Sequence, residues 1–158
     1  MNRWYVSGES RSSLYSHILI GLNQSPAARR ALQRAIQLAA KLNATLTAVS
    51  VTPSLPAYAA YATALGPEAH QTMESDEQAT FAGLLEMARS EAVRHNIEIK
   101  TALSSGSVTV SLLEAVRMNH IDLLVLGIQP DHELPGWLSG STAHKLAEGA
   151  TCDVLGVH

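Results

Sequence analysis

The sequence predicts a three-layer α/β fold, in which a five-stranded parallel sheet carries helices on both faces. Short apolar runs alternate along the chain with segments whose apolar residues recur at helical spacing. Such alternation favours parallel strands joined by crossover helices. The 158 residues fit one domain with a buried core. For a doubly wound sheet of five strands we expect the order 3-2-1-4-5.

The first half of the chain contains two predicted strands and one helix. The apolar run at 17–22 (HILIGL) predicts a buried strand. A Ser-Pro pair at 25–26 can cap a helix and occupy its first position, and apolar residues at helical spacing continue to Leu42. Residues 45–51 predict the second strand, which we expect Pro53 to stop.

The middle of the chain begins with the segment 53–67, which is rich in Pro, Ala and Tyr and has no clear period. We interpret it as a loop; it serves either as a lid or partner surface or as a simple connection. A long helix is predicted at 68–95. Apolar and charged residues alternate at 97–103, which predicts a strand with one wet face near an edge of the sheet.

The last third adds two strands and two helices. We expect Gly106-Ser107 to open a helix, and the nearly continuous apolar run at 121–126 to be a central strand. A loop at 127–139 and a short helix at 141–148 precede the final strand at 152–157. Because Cys152 begins that apolar strand, we expect its thiol to be buried and unreactive.

Composition argues against several classes of function. A net charge of −3 with interspersed signs provides no basic patch for nucleic acid or an anionic membrane. No apolar run approaches the roughly 18–20 residues of a membrane helix, and residues 1–16 lack the apolar core of a signal peptide. One cysteine allows no internal disulfide. We therefore expect a cytoplasmic protein.

The strongest functional signal lies where the winding of the predicted sheet reverses, between strands 1 and 4. Ligands of such sheets bind beyond the carboxyl ends of the strands at this point, which Asn23 and Gly127 flank. Gly140-Ser141-Thr142 opens a nearby helix, whose N–H groups and dipole favour phosphate. A strand-end turn and an ordinary capped helix would use the same residues, so that alternative stays open.

Both ends of the chain resemble a universal stress protein (UspA-like) domain. The matching segments are HILIGLNQSPAARRALQRAIQLAAKLNATLTAVSV and IDLLVLGIQPDHELPGWLSGSTAHKLAEGATCDVLGVH. The resemblance covers residues 17–158 and leaves 1–16 as an N-terminal arm. It implies the adenine nucleotide alpha hydrolase-like fold. Many family members bind ATP through a Gly-x2-Gly-x9-Gly-Ser/Thr loop, so the resemblance also implies an ATP site.

Carried over by position, this resemblance implies a nucleotide site. The family's first glycine corresponds to Gly127, and its closing pair to Gly140-Ser141, followed by Thr142. The second-strand position whose backbone meets the adenine corresponds to Val51.

Two positions depart from the family pattern. Asn23 replaces the family's Asp; it is a poorer Mg²⁺ ligand and is also a common turn residue. Pro130 replaces the second glycine and has no N–H. Losing one charged phosphate hydrogen bond of about 1.5–3 kcal/mol is expected to weaken binding ~10–100-fold.

The sequence supports two functions of different classes. One is a regulatory module that binds ATP or a related adenine nucleotide, with or without Mg²⁺. The alternative, which Pro130 and Asn23 favour, is a nucleotide-free dimeric interaction protein of the stress response. We predict no enzyme, although a slow ATPase is not excluded. A homodimer is expected through the apolar edge at 152–157, with a further protein partner receiving the signal.

Overall fold

The computed structural model describes residues 14–53, 67–129 and 140–158, and within them it confirms the predicted fold class. The strands form a parallel sheet in the order β3-β2-β1-β4-β5, as predicted. The elements are β1 His17–Gly21, α1 Pro26–Leu42, β2 Thr45–Pro53, α2 Pro67–Arg94, β3 Ile99–Gly106, α3 Val108–Met118, β4 Leu123–Gly127, α4 Gly140–Gly149 and β5 Asp153–Val157.

Two apolar layers lie on opposite faces of the sheet. Ile18 and Ile20 of β1 pack with α1 and α2, whereas Leu19 packs with α3 and α4. Adjacent residues of a strand point to opposite faces, so a central strand with both faces covered must be apolar throughout. The buried residues of β1 and β4 follow from this position.

Helix α1 begins and ends as its sequence predicts. The Oγ of Ser25 accepts a hydrogen bond from the N–H of Ala28 at 3.0 Å, and Pro26 occupies the first helical position. The helix ends at Asn43, whose φ of 54° lies in the left-handed region and whose N–H donates to Ala39. Seven residues of α1 are buried, and five of them are alanine, which lets α1 approach the sheet closely.

Pairing with neighbours shifts several predicted bounds. The β2–β3 ladder continues to the pair Pro53↔Gly106, so Pro53 is the last residue of β2, which extends two residues beyond the predicted end. Strand β1, the other neighbour of β2, pairs only as far as Val49. It therefore needs no hydrogen bond from Pro53, which has no N–H. Gly106 closes β3 with φ of 114°, and Ser107 caps α3 in its place.

Two predictions of burial were wrong. The alternation at 97–103 places Leu103 on the dry face of β3, but it is 42% exposed. Cys152 lies just before β5 and is half-buried, because its strand begins only at Asp153 and forms the outer edge of the sheet.

The chain enters β1 through bonds to two carboxylates at the amino edge of the sheet. The Oδ atoms of Asp122 accept from the N–H groups of Ser16 and His17 at 2.7 and 3.0 Å. The hydroxyl of Tyr15 donates to Asp153 at 2.8 Å. Of the predicted arm at 1–16, residues 1–13 lie outside the described ranges.

Candidate functional site

The parallel register brings the ends of β1, β2 and β4 together at the carboxyl edge of the sheet. Gly21, the last residue of β1, pairs with Val49 on one side and with Leu126 on the other. Asn23, two residues further, is therefore level with Val51 and close to the end of β4. Helices α1 and α4 both begin at this edge, because each leads from the end of one strand back to the start of another.

Asn23 is held in a turn and is 9% exposed. Its Oδ1 accepts a hydrogen bond from the N–H of Ser25 at 2.9 Å. This is the hydrogen bond expected if Asn23 is a turn residue. The same bond directs the side chain beside the helix start, so a turn role and a ligand contact are compatible.

Buried polar side chains gather at this edge. In the part of the chain that the structure describes, the buried polar side chains are Asn23, Ser50 and Thr52. The Oγ of Ser50 donates to the carbonyl oxygen of Leu22 at 2.7 Å, and Oγ1 of Thr52 donates to that of Ser104 at 3.2 Å. These hydroxyls tie the end of β2 to its neighbours on both sides.

Sequence reasoning missed Ser50 and Thr52. The available signal was a pair of hydroxyl residues, two apart, at the end of an otherwise apolar strand. That spacing places both on one face of β2. Their partners lie on other strands, so the spacing alone could not identify the bonds.

Val51 faces the opposite side of β2 from these hydroxyls. Its side chain packs in the cluster that contains Leu112 and Leu126, and the whole residue is 1% exposed. The backbone of Val51 is therefore buried together with its side chain.

Gly127 is required by the packing of α1 on β4. A Cβ atom at this position would lie 2.3 Å from the backbone nitrogen of Ala28 and 2.4 Å from the carbonyl carbon of Ala27. These are backbone atoms of the first turn of α1, so no side-chain rotation could relieve the contact. The glycine therefore has a structural reason that is independent of any ligand.

The helix start predicted at Gly140-Ser141-Thr142 is confirmed, because α4 begins at Gly140. Its first turn carries no acidic residue, and neither does that of α1. Both helices thus present the positive ends of their dipoles without a neutralising carboxylate in the turn. Pro130 lies in the segment 130–139, outside the described residues.

Shifts in pKa occur at the amino edge, opposite the crevice between β1 and β4. Burial raises the pKa of the Cys152 thiol above its ordinary value. The hydrogen bond to Asp153 raises the pKa of the Tyr15 hydroxyl. In the ranges 14–53, 67–129 and 140–158, no three His, Cys, Asp or Glu side chains are placed to hold a metal ion. No helix in these ranges has the length and apolarity to cross a bilayer.

The fold and the switch-point crevice define a doubly wound α/β domain. The sequence profile of the universal stress protein family matches residues 14–158. The chain belongs to the universal stress protein family.

Relatives match over nearly their full length. Universal stress protein A homolog 1 of Coxiella burnetii is 32% identical over 145 residues, covering 90% of this chain and 96% of its own. A universal stress protein of Burkholderia pseudomallei is 26% identical, with a TM-score of 0.70 and coverage of 92% and 97%. UspA of Lactobacillus plantarum is 23% identical, with a TM-score of 0.72 and coverage of 91% and 98%.

Some structural neighbours were solved with adenine nucleotides. A universal stress protein in complex with cAMP is 24% identical and has a TM-score of 0.68. Neighbours from Arabidopsis thaliana with AMP and from Archaeoglobus fulgidus with dAMP are 15% and 13% identical, with TM-scores of 0.64 and 0.63. At these identities the likeness shows a shared fold.

Proposed function

We propose that this chain is a regulatory module that binds an adenine nucleotide in the crevice between β1 and β4. The observation that carries the proposal is the placement of its buried polar side chains. Asn23 follows β1 at the topological switch point, and Ser50 and Thr52 lie at the same carboxyl edge on the neighbouring strand β2. The cAMP, AMP and dAMP complexes of structural neighbours support an adenine nucleotide as the ligand.

In this proposal, three parts of the edge hold the nucleotide. The backbone of Val51 meets the adenine, and Asn23 contacts the nucleotide beside α1. The first turn of α4, at Gly140-Ser141-Thr142, receives the phosphates, where free N–H groups and the helix dipole favour anions. Gly127 allows α1 and β4 to approach each other at the base of the crevice.

The proposed output is a change in a protein surface, with hydrolysis slow or absent. Strand β5 forms an outer edge of the sheet, and Leu155 on it is 37% exposed. Unpaired edge strands invite pairing with another chain. We propose that two copies pair along β5 and that a further protein reads the dimer.

Calorimetric titration with ATP, AMP and cAMP tests the binding proposal, with GTP as the control for base recognition. We expect at least one adenine nucleotide to bind in the micromolar range. Millimolar or absent affinity for all three would refute the proposal. Replacing Pro130 with glycine should tighten ATP binding by ~10–100-fold, because a backbone donor is restored. An unchanged affinity would show that this loop is not limited by the missing N–H.

A nucleotide-free dimeric interaction protein is the second candidate. The turn bond from Ser25 to Asn23 supports it, because this residue has a structural role without a ligand. Both candidates expect a dimer that Leu155→Lys disrupts, so sedimentation of wild type and Leu155→Lys is read together with the calorimetry. A dimer along β5 in a protein that binds none of ATP, AMP and cAMP would favour the second candidate, whereas binding of any of them would favour the first. Val93→Lys, at a position 64% exposed on α2, is the matched control.

A further inference from the structure

The described side chains of the crevice do not fit a divalent metal. Mg²⁺ in nucleotide sites is held by carboxylates together with phosphate oxygens. The described side chains at the ends of β1, β2 and β4 that carry polar groups are amides and hydroxyls: Asn23, Gln24, Ser25, Ser50, Thr52 and Gln129. The first turns of α1 and α4 add no carboxylate.

We infer that the crevice binds its nucleotide as a metal-free anion and that the side-chain amide of Asn23 donates to a nucleotide oxygen. This inference rests on the proposed nucleotide site. The class of ligand is therefore an adenine nucleotide whose phosphate charge the protein balances itself. A chelated Mg²⁺–nucleotide complex is not the bound species.

The orientation of Asn23 carries this inference. Its Oδ1 accepts from the backbone N–H of Ser25, and an N–H can only donate. The oxygen is thus fixed toward the turn, which leaves the two hydrogens of Nδ2 as the unused groups of the amide. This Nδ2 makes no hydrogen bond to another residue in the described ranges. An Asp in the same turn would leave a negatively charged oxygen there, which is a metal or hydroxyl ligand instead of a phosphate donor.

Positive charge near the crevice comes from the protein. The dipole of α1 places its positive end at Ser25, beside Asn23. Further along α1, the Nε of Arg30 donates at 2.8 Å to a backbone oxygen of His158, which holds this guanidinium beside the carboxyl end of β5. Strand β5 pairs with β4 up to Gly127↔Val157, so Arg30 lies at the carboxyl edge of the sheet.

Binding of AMP and ATP to the full chain, measured with excess EDTA and with excess Mg²⁺, tests the inference. We expect AMP to bind equally under both conditions, and Mg²⁺ to leave ATP affinity unchanged or weaker. Tightening of wild-type ATP binding by Mg²⁺ of about tenfold or more, equivalent to about 1.4 kcal/mol, would overturn the inference.

The variant Asn23→Asp provides the second test. Aspartate retains an oxygen for the Ser25 N–H, so we expect the variant to fold. In EDTA it should bind AMP at least about tenfold more weakly, because a carboxylate then faces phosphate, and Mg²⁺ should restore ATP binding. Gln33→Asp, on the exposed face of α1, changes net charge equally and should bind as wild type. Equal binding by Asn23→Asp in EDTA would overturn the inference.

The failure of the proposed function would look different. If wild type binds neither AMP nor ATP under either condition, the proposed nucleotide site is refuted, and this inference is refuted with it. Metal-dependent binding would preserve the site and refute its metal-free character. The carboxylates of Asp131 and Glu133 lie outside the described residues. The variant Asp131→Asn/Glu133→Gln would identify them as the source of any Mg²⁺ dependence that overturned the inference.

Discussion

Replacing Gly127 with alanine should destabilise the protein through the contact between β4 and α1. The added Cβ would lie 2.3 Å from a backbone atom, whereas ordinary contacts begin at 3.4 Å. The first turn of α1 must therefore move by about 1 Å against a close-packed sheet. Overpacking of this kind costs about 3 kcal/mol. For a chain of this size, that lowers Tm by about 6–12 °C.

Urea denaturation and thermal melting measure this effect against a matched glycine. Gly83 lies exposed inside α2, and a Cβ there would have no atom within 4 Å. Gly83→Ala should raise the free energy of unfolding by about 0.5–1 kcal/mol, because alanine favours the helix. A Gly127→Ala protein within about 0.5 kcal/mol of wild type would refute the packing role assigned to Gly127.

Three further predictions concern the core, the crevice and the single thiol. Leu112→Ala should lower the free energy of unfolding by about 2–5 kcal/mol in urea, because Leu112 is 0% exposed, and a loss below about 1 kcal/mol would contradict its place in the core. Ser50→Ala should lower the free energy of unfolding by about 1–3 kcal/mol, because the carbonyl of Leu22 loses its buried donor. Ser90→Ala, at an exposed position, is the control, and equal stability of the two variants would contradict the importance of the Ser50 bond. Cys152 should be alkylated more slowly than glutathione at pH 8, because its raised pKa lowers the fraction of thiolate. The alkylation rate should increase as the pH rises further. A rate equal to that of glutathione would refute this prediction.

The topology could be predicted from the sequence because each element carries a local signal. The run at 17–22 and the Ser-Pro pair at 25–26 show where a strand ends and a helix begins, and both are confirmed. Alternation of such units restricts the sheet to a few arrangements. The order β3-β2-β1-β4-β5 and the location of the switch point follow from these restrictions.

The features that escaped prediction depend on partners distant in sequence. Ser50 bonds across to Leu22, and the extra length of β3 exists because β2 continues beside it to Pro53. Gly127 matches a family motif, yet its neighbours in the fold are Ala27 and Ala28. A motif shows which residue type is required at a position, whereas the structure shows which atoms require it.

Amide chemical-shift changes on titration with AMP test the central proposal most directly, because they report both binding and its location. We predict saturable changes at 22–25, 50–52, 127–129 and 140–142, around the carboxyl edge. Residues 95–99 and the segment at 120–122, at the amino edge, should not respond. Absence of saturable changes, or changes confined to the amino edge, would contradict the proposed nucleotide site.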